Sequence, residues 1–123
     1  MVNGIAINLF EFQERAVLKL LDIVSDSRSK QTVTVKSPTG SGKTIMLIDF
    51  IEEYLTKISS RTAFIWLCPG KGDLEEQSRQ KMRKFAPHRR TQNLFDALTA
   101  GFDAESTTFI NWELVTKKGN TAI

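Results

Sequence analysis

The apolar residues of this chain recur at helical spacing in three segments. In the first, over residues 11–24, apolar positions three and four apart predict an amphipathic helix, with Asn8 and Glu11 spaced as a capping box. A second amphipathic pattern follows the glycine-rich loop 37–44 and continues to residue 58. A third helix, with a thinner apolar stripe, is predicted over residues 73–85, with Asp73 as its cap.

The segments between these helices favour β-strands. The β-branched run 32–35 predicts one strand, and the continuous apolar run 62–68 predicts a second, buried strand. Periodicity weakens over residues 88–106, where Leu94, Phe95 and Leu98 are compatible with a short helix, and 107–110 resembles a third strand. Alternating strands and helices predict a three-layer α/β fold with a mostly parallel sheet.

Composition sets the protein class without adding a function. The 123 residues fit one domain, and 41% hydrophobic with 25% charged residues are ordinary globular values. No apolar run is long enough for a bilayer and no secretory signal is visible, so we expect a cytoplasmic protein without membrane contact. A single cysteine, Cys68, excludes an internal disulfide and a structural zinc site, and we expect a buried, inert thiol. His88 is expected on the surface, and the net charge of +3 is too small to indicate nucleic acid by itself.

The loop 37–44 is the strongest chemical signal, because it lies between a predicted strand and a predicted helix. Its glycines let successive backbone N–H groups point at phosphate oxygens, and the helix that begins near Lys43 adds partial positive charge. Lys43 would reach the β- and γ-phosphates, and the Thr44 hydroxyl would bind Mg²⁺. The predicted phosphate-binding residues are Thr39, Gly40, Ser41, Gly42, Lys43 and Thr44. The alternative is a glycine-rich turn without a ligand.

This loop has Ser37 where the strict phosphate-loop pattern has a glycine, and with Pro38-Thr39-Gly40 it resembles the loop of superfamily 2 helicases and translocases. That family includes DEAD-box and DEAH-like proteins and the motor subunits of type I and type III restriction enzymes. Residues 9–13 resemble its adenine-recognising Q-motif, which implies that Gln13 pairs with the base and that Phe10 or Phe12 stacks on it. Judged without the family, Gln13 would be a solvated surface residue and Phe12 a core residue.

Two further segments resemble the same family. Residues 68–77 resemble motif Ia, which implies that the turn Gly70-Lys71-Gly72 contacts a nucleic-acid backbone; the alternative is an ordinary strand-to-helix turn. The basic residues at positions 79–90 would follow a nucleic-acid strand or form a solvated helix face with a Glu75–Arg79 pair. Residues 107–113 resemble a segment of type III restriction motor subunits.

The resemblance implies an incomplete RecA-like phosphate-loop fold, in which 1–123 forms one partial ATP-binding domain. Its parts would be a Q-motif helix region (1–25), strand, loop and helix (32–58), strand and motif Ia helix (62–86), and an irregular region with the third strand (87–123). It implies ATP and Mg²⁺ as cofactors. The implied partners are a nucleic acid, with DNA favoured over RNA, a second motor domain, and a modification or specificity subunit.

The chain contains no Asp-Glu dipeptide, the pair with which this family holds Mg²⁺ and water, and the family's arginine finger comes from the second motor domain. We therefore expect an ATP-binding N-terminal fragment of an ATP-dependent DNA helicase or translocase that hydrolyses almost nothing alone. Two alternatives remain at this point: a small phosphate-loop kinase or regulator, and a nucleic-acid-binding module with a vestigial loop.

Overall fold

The computed structural model of the chain describes residues 5, 7–25, 32–36, 42–69 and 74–113. Within these ranges two helices are followed by alternating strands and helices, which form a mixed α/β fold with a parallel sheet, as expected for part of a RecA-like domain. The elements in chain order are α1 (Glu11–Val24), α2 (Lys43–Lys57), β1 (Phe64–Cys68), α3 (Leu74–Phe85), β2 (Arg90–Asn93), α4 (Leu94–Ala100) and β3 (Ser106–Asn111).

The sheet has the strand order β1-β3-β2, and both strand pairs are parallel. Its central strand, β3, pairs Phe109 with Trp66 on one side and with Asn93 on the other. Helix α3 connects β1 to β2 and α4 connects β2 to β3, so the carboxyl ends of all three strands lie at one edge of the sheet. In this fold class ligands are bound at that edge.

Helix α2 joins the two halves of the core. It packs against α1 and against α3, and its Phe50 ring meets the Phe64 ring of β1 edge-on at 6.1 Å. Buried residues of α1, α2, α3 and β3 form one cluster, to which α2 contributes Met46, Ile48, Ile51 and Leu55. The helix that begins after the predicted phosphate loop is therefore fixed on both sides by apolar burial.

Several predicted features differ from the structure. Residues 32–36 form no strand, and their side chains are exposed, because none of the described strands pairs with this segment. The run 62–68 does form β1, but as an edge strand whose Ile65 and Leu67 are half exposed rather than buried. The N-cap position of α1 is occupied by Phe10 and not by Asn8, and the Phe10 backbone N–H donates to the Gln13 side chain.

The strand β2 is not predicted by the sequence pattern. Its sequence, Arg-Thr-Gln-Asn, lacks an apolar alternation, and β2 is held instead by the buried Gln92 amide, whose oxygen accepts from Ser106 Oγ at 2.9 Å and Thr108 Oγ1 at 3.1 Å. The short helix suggested near Leu94 is present as α4, which Asn93 caps. Across the described ranges, no helix combines the length and apolar character needed to span a bilayer.

Candidate nucleotide-binding site

Gly42 is the point where the two predicted nucleotide-binding segments meet. It precedes α2 with φ 79° and ψ 35°, a left-handed conformation that glycine adopts without steric cost. A Cβ atom placed on Gly42 would overlap the Nε2 atom of Gln13 in α1. The amide of the predicted adenine-recognising residue therefore lies directly against the end of the phosphate loop, although the two residues are far apart in the sequence.

The Gln13 side chain is held in one orientation. Its Oε1 atom accepts a hydrogen bond from the Phe10 backbone N–H at 2.8 Å, which caps the first turn of α1, and the residue is only 5% exposed. Because the oxygen faces Phe10, the amide NH₂ group faces Gly42. The solvated-surface alternative for Gln13 is therefore wrong.

Phe10 and Phe12 form an exposed aromatic pair beside Gln13. Their rings are nearly parallel, with 10° between the planes and 6.0 Å between the centroids, and they are 70% and 44% exposed. The expectation that Phe12 belongs to the core is wrong. Exposed aromatic faces at a helix N-terminus offer a stacking surface for a planar ring.

Lys43 and Thr44 form the first turn of α2. Lys43 is exposed and Thr44 is half-buried. The backbone N–H groups of this turn lack intrahelical acceptors, so an anion placed here would gain hydrogen bonds and the favourable end of the helix dipole. The other predicted phosphate-binding residues, Thr39, Gly40 and Ser41, lie outside the described residues, as do Gly70, Lys71 and Gly72 of the predicted nucleic-acid turn.

The C-terminal half of α2 is held by an ion pair between Glu52 and Arg89, which no sequence pattern predicts. The buried Glu52 carboxylate accepts from Arg89 Nε at 2.5 Å and contacts His88 Nε2 at 2.8 Å, and Arg89 also donates to Thr56 Oγ1. Burial raises the pKa of Glu52, but the hydrogen bonds from Arg89 and His88 outweigh it and hold the pKa below its ordinary value. His88 lies at the surface, as expected, but it also has a partner in Glu52, and no sequence pattern reveals a contact over 36 residues.

Within the predicted basic run, some side chains are engaged in the fold and others are exposed on α3, while Arg90, in β2, donates to the Ala104 backbone oxygen at 3.1 Å. Arg79 donates to Thr91 Oγ1 at 3.0 Å and lies 4.0 Å from Asp96, so it turns inward and is not available as a surface partner of Glu75. Arg89 is committed to Glu52. The remaining cations of α3 are exposed: Lys81, Arg83 and Lys84. Only these three cations present charge to solvent along α3.

The remaining expectation about a single side chain concerns Cys68. Cys68 is buried, as expected, and burial raises the pKa of its thiol, which disfavours the reactive thiolate. Asn111, at the end of β3, accepts a hydrogen bond from the Glu113 backbone N–H at 2.9 Å, which turns the chain after the strand. Within the described residues, no group of three or more His, Cys, Asp or Glu side chains is arranged to bind a metal ion.

Comparison with known proteins agrees with this arrangement. The model of the family described as type III restriction enzyme, res subunit, matches residues 6–119 of the chain. No curated protein matches the chain significantly. The matched range includes both predicted nucleotide-binding segments, the sheet and the basic helix α3. The chain belongs to the type III restriction enzyme res subunit family, a motor-domain family of helicase superfamily 2.

Proposed function

We propose that this chain is the ATP-binding part of an ATP-dependent DNA helicase or translocase, and specifically of a restriction-type motor. The contact between Gln13 and Gly42 is the observation that carries the proposal. A nucleotide with its phosphates on the loop and its base near α1 needs both segments at one place, and a vestigial loop would not require a buried glutamine beside it.

Each residue has a separate role in this proposal. Lys43 holds the β- and γ-phosphates, Thr44 binds Mg²⁺, and Thr39, Gly40, Ser41 and Gly42 supply backbone N–H groups. Gln13 selects adenine, since its amide offers one donor and one acceptor edge, and the exposed Phe10 or Phe12 ring covers the base. Magnesium supplies charge neutralisation on the phosphates when it is bound.

Nucleotide titration tests the proposal. Lys43→Ala is expected to weaken binding of MgATP roughly ten- to a hundredfold, because a hydrogen bond to a charged group contributes about 1.5–3 kcal/mol. Lys81→Ala removes an equally exposed lysine from α3 and is the matched control, with unchanged affinity expected. Isothermal calorimetry on the two variants and the parent chain makes the comparison. ATP binding that is indifferent to Lys43→Ala would contradict the proposal and favour the vestigial-loop alternative.

Turnover separates this proposal from the kinase alternative. Because no Asp-Glu pair is present in the sequence, we expect the chain to bind ATP with almost no hydrolysis, with or without single-stranded DNA. A phosphate-loop kinase would instead transfer phosphate to a small nucleoside acceptor. Thin-layer assays with labelled ATP distinguish bound ATP, released phosphate and a phosphorylated acceptor.

The proposed nucleic-acid partner is DNA, held through its phosphate backbone. The exposed cations of α3 and the predicted turn at Gly70-Lys71-Gly72 would supply the contacts. In the complete motor, a second motor domain would provide the arginine finger, and a modification or specificity subunit would select the DNA.

A further inference from the structure

Asp49 is a buried acid that the proposed nucleotide site does not use. It lies on α2, is 3% exposed, and its Oδ1 atom has no hydrogen-bond partner among the described residues. An ionised carboxylate without compensating hydrogen bonds is costly in such a place, and a neutral carboxyl group is much less so. The position therefore favours the protonated form.

The position of Asp49 on α2 relates it to the nucleotide site. Asp49 lies about two helical turns after Gly42, and therefore on the same side of the helix. That side faces α1, because the Gln13 amide lies against Gly42. Asp49 and Gly42 thus lie on the side of α2 that faces α1, and Asp49 is buried there, near enough to Glu14 of α1 to feel its charge.

The charges around Asp49 reinforce its neutral form. Burial raises the pKa of Asp49 to about 6, repulsion from Glu53, Glu14 and Glu52 adds to this, and Lys57 acts in the opposite direction. Glu14 belongs to α1 and directly follows Gln13, while the other three groups belong to α2 itself. Lys57 is largely engaged, because its Nζ lies 2.9 Å from Glu53. An ionised Asp49 would therefore be repelled by three carboxylates and attracted only by Lys57, a cation that is already paired with Glu53.

We propose that Asp49 is a proton-linked positioning residue. Its neutral carboxyl group allows α1 to pack against α2, and this packing holds Gln13 against Gly42. Loss of the proton places an unpaired charge under α1, and water can reach that charge only when α1 moves away from α2. Gln13 moves with α1, so the base-recognising group leaves the loop. The consequence for nucleotide selection rests on the proposed function above.

The ratio of ATP to GTP affinity is the appropriate measurement, because the phosphates of the two nucleotides titrate alike and cancel. In the parent chain we expect this ratio to fall on the order of tenfold between pH 5 and pH 7.5, with a midpoint near 6. Asp49→Asn keeps the shape without the titration, so its ratio should stay high and flat. Asp22→Asn, the same change at an exposed acid of α1, is the matched control and should retain the parent profile.

A second variant and a second measurement distinguish the proposed role of Asp49 from a simple folding defect. Glu14→Gln removes repulsion from α1 alone and should move the midpoint to lower pH. Hydrogen exchange of the α1 amides, corrected for the intrinsic pH dependence, should show faster opening of α1 at pH 7.5 in the parent than in Asp49→Asn, with or without nucleotide.

The outcomes separate the two proposals. An Asp49→Asn variant with the parent's pH profile in both measurements overturns the positioning role. If ATP binding does not depend on Lys43 at any pH, the proposed function is overturned. In that case the hydrogen-exchange comparison still decides whether Asp49 controls the packing of α1 against α2.

Discussion

At the scale of single residues, Gly42 satisfies two demands that no other residue type meets. Its φ of 79° disfavours any side chain with a Cβ atom, at a cost of about 1–2 kcal/mol. The Gln13 amide also occupies the space where that Cβ would be. Gly42→Ala should therefore destabilise the chain and displace the predicted base-recognising side chain at the same time.

A double-mutant cycle separates these two effects. Gln13→Ala removes the atoms that the new Cβ would strike, so Gly42→Ala should cost less in that background, leaving only the conformational cost of about 1–2 kcal/mol. Urea unfolding of the four chains gives the coupling free energy. Gly101→Ala is the control, because Gly101 has a φ of 83° but no atom of the described residues within 4 Å of the place its Cβ would take, and its cost should not depend on Gln13. Equal costs of Gly42→Ala in both backgrounds would mean that the contact carries no energy.

At the scale of elements, α2 carries two neighbouring carboxylates with opposite behaviour. The pKa of Asp49 is raised to about 6, whereas that of Glu52 is lowered below 4.5. A raised pKa means that the folded chain binds the proton more tightly, so the contribution of Asp49 to stability is lost as the pH rises through about 6. Glu52 contributes in the other direction, and its stabilisation is lost as the pH falls below 4.5. Because the loss from Asp49 proceeds between its ordinary pKa of 3.8 and about 6, while the gain from Glu52 is complete by about pH 4.5, the two groups together should make stability greatest near pH 4.5 and lower at pH 6 and above.

Glu52→Gln tests the acid side of this profile. The substitution leaves Arg89, which is 14% exposed in its side chain, without its carboxylate, and removing one partner of a buried ion pair costs roughly 3 kcal/mol. The free energy of unfolding should fall by about that amount at pH 7, and its decline below pH 4.5 should be shallower than in the parent. Arg15→Ala breaks the exposed Arg15–Glu11 pair and should cost no more than ~0.5 kcal/mol. If the two variants lower the free energy of unfolding equally, the Glu52–Arg89 pair does not stabilise the position of α2.

The helices were predictable from the sequence because their apolar spacing is local. β2 was not, since Arg-Thr-Gln-Asn has no apolar alternation and gains its place from pairing with β3 and from the Gln92 amide. Residues 32–36 show the reverse case, because β-branched residues favour a strand only where a neighbouring strand accepts the backbone hydrogen bonds. In the candidate site, residue types indicated Gln13 and Gly42 separately, but their contact and the Glu52–Arg89 pair depend on tertiary packing.

At the scale of the whole molecule, the net charge of +3 says little about DNA, because the cations differ in what they do. Arg79 and Arg89 have side chains only 15% and 14% exposed and are paired with Asp96 and Glu52. Their charge is largely neutralised inside the fold. The cations of α3 that remain in solvent could neutralise phosphates, and each phosphate contact adds about one unit to the salt dependence of binding.

Charge reversal at these positions tests the DNA-binding proposal. The triple variant Lys81→Glu, Arg83→Glu, Lys84→Glu should weaken binding of single-stranded DNA and lower the salt slope by about two to three units, as expected for lost phosphate contacts. The control triple Lys19→Glu, Lys57→Glu, Arg61→Glu changes the net charge by the same amount at exposed positions away from α3. Fluorescence anisotropy at several salt concentrations measures both. If only the first triple variant loses DNA affinity and salt dependence, the DNA strand lies along α3. If both triple variants lose them equally, attraction by net charge alone explains the binding, and α3 is an ordinary solvated helix.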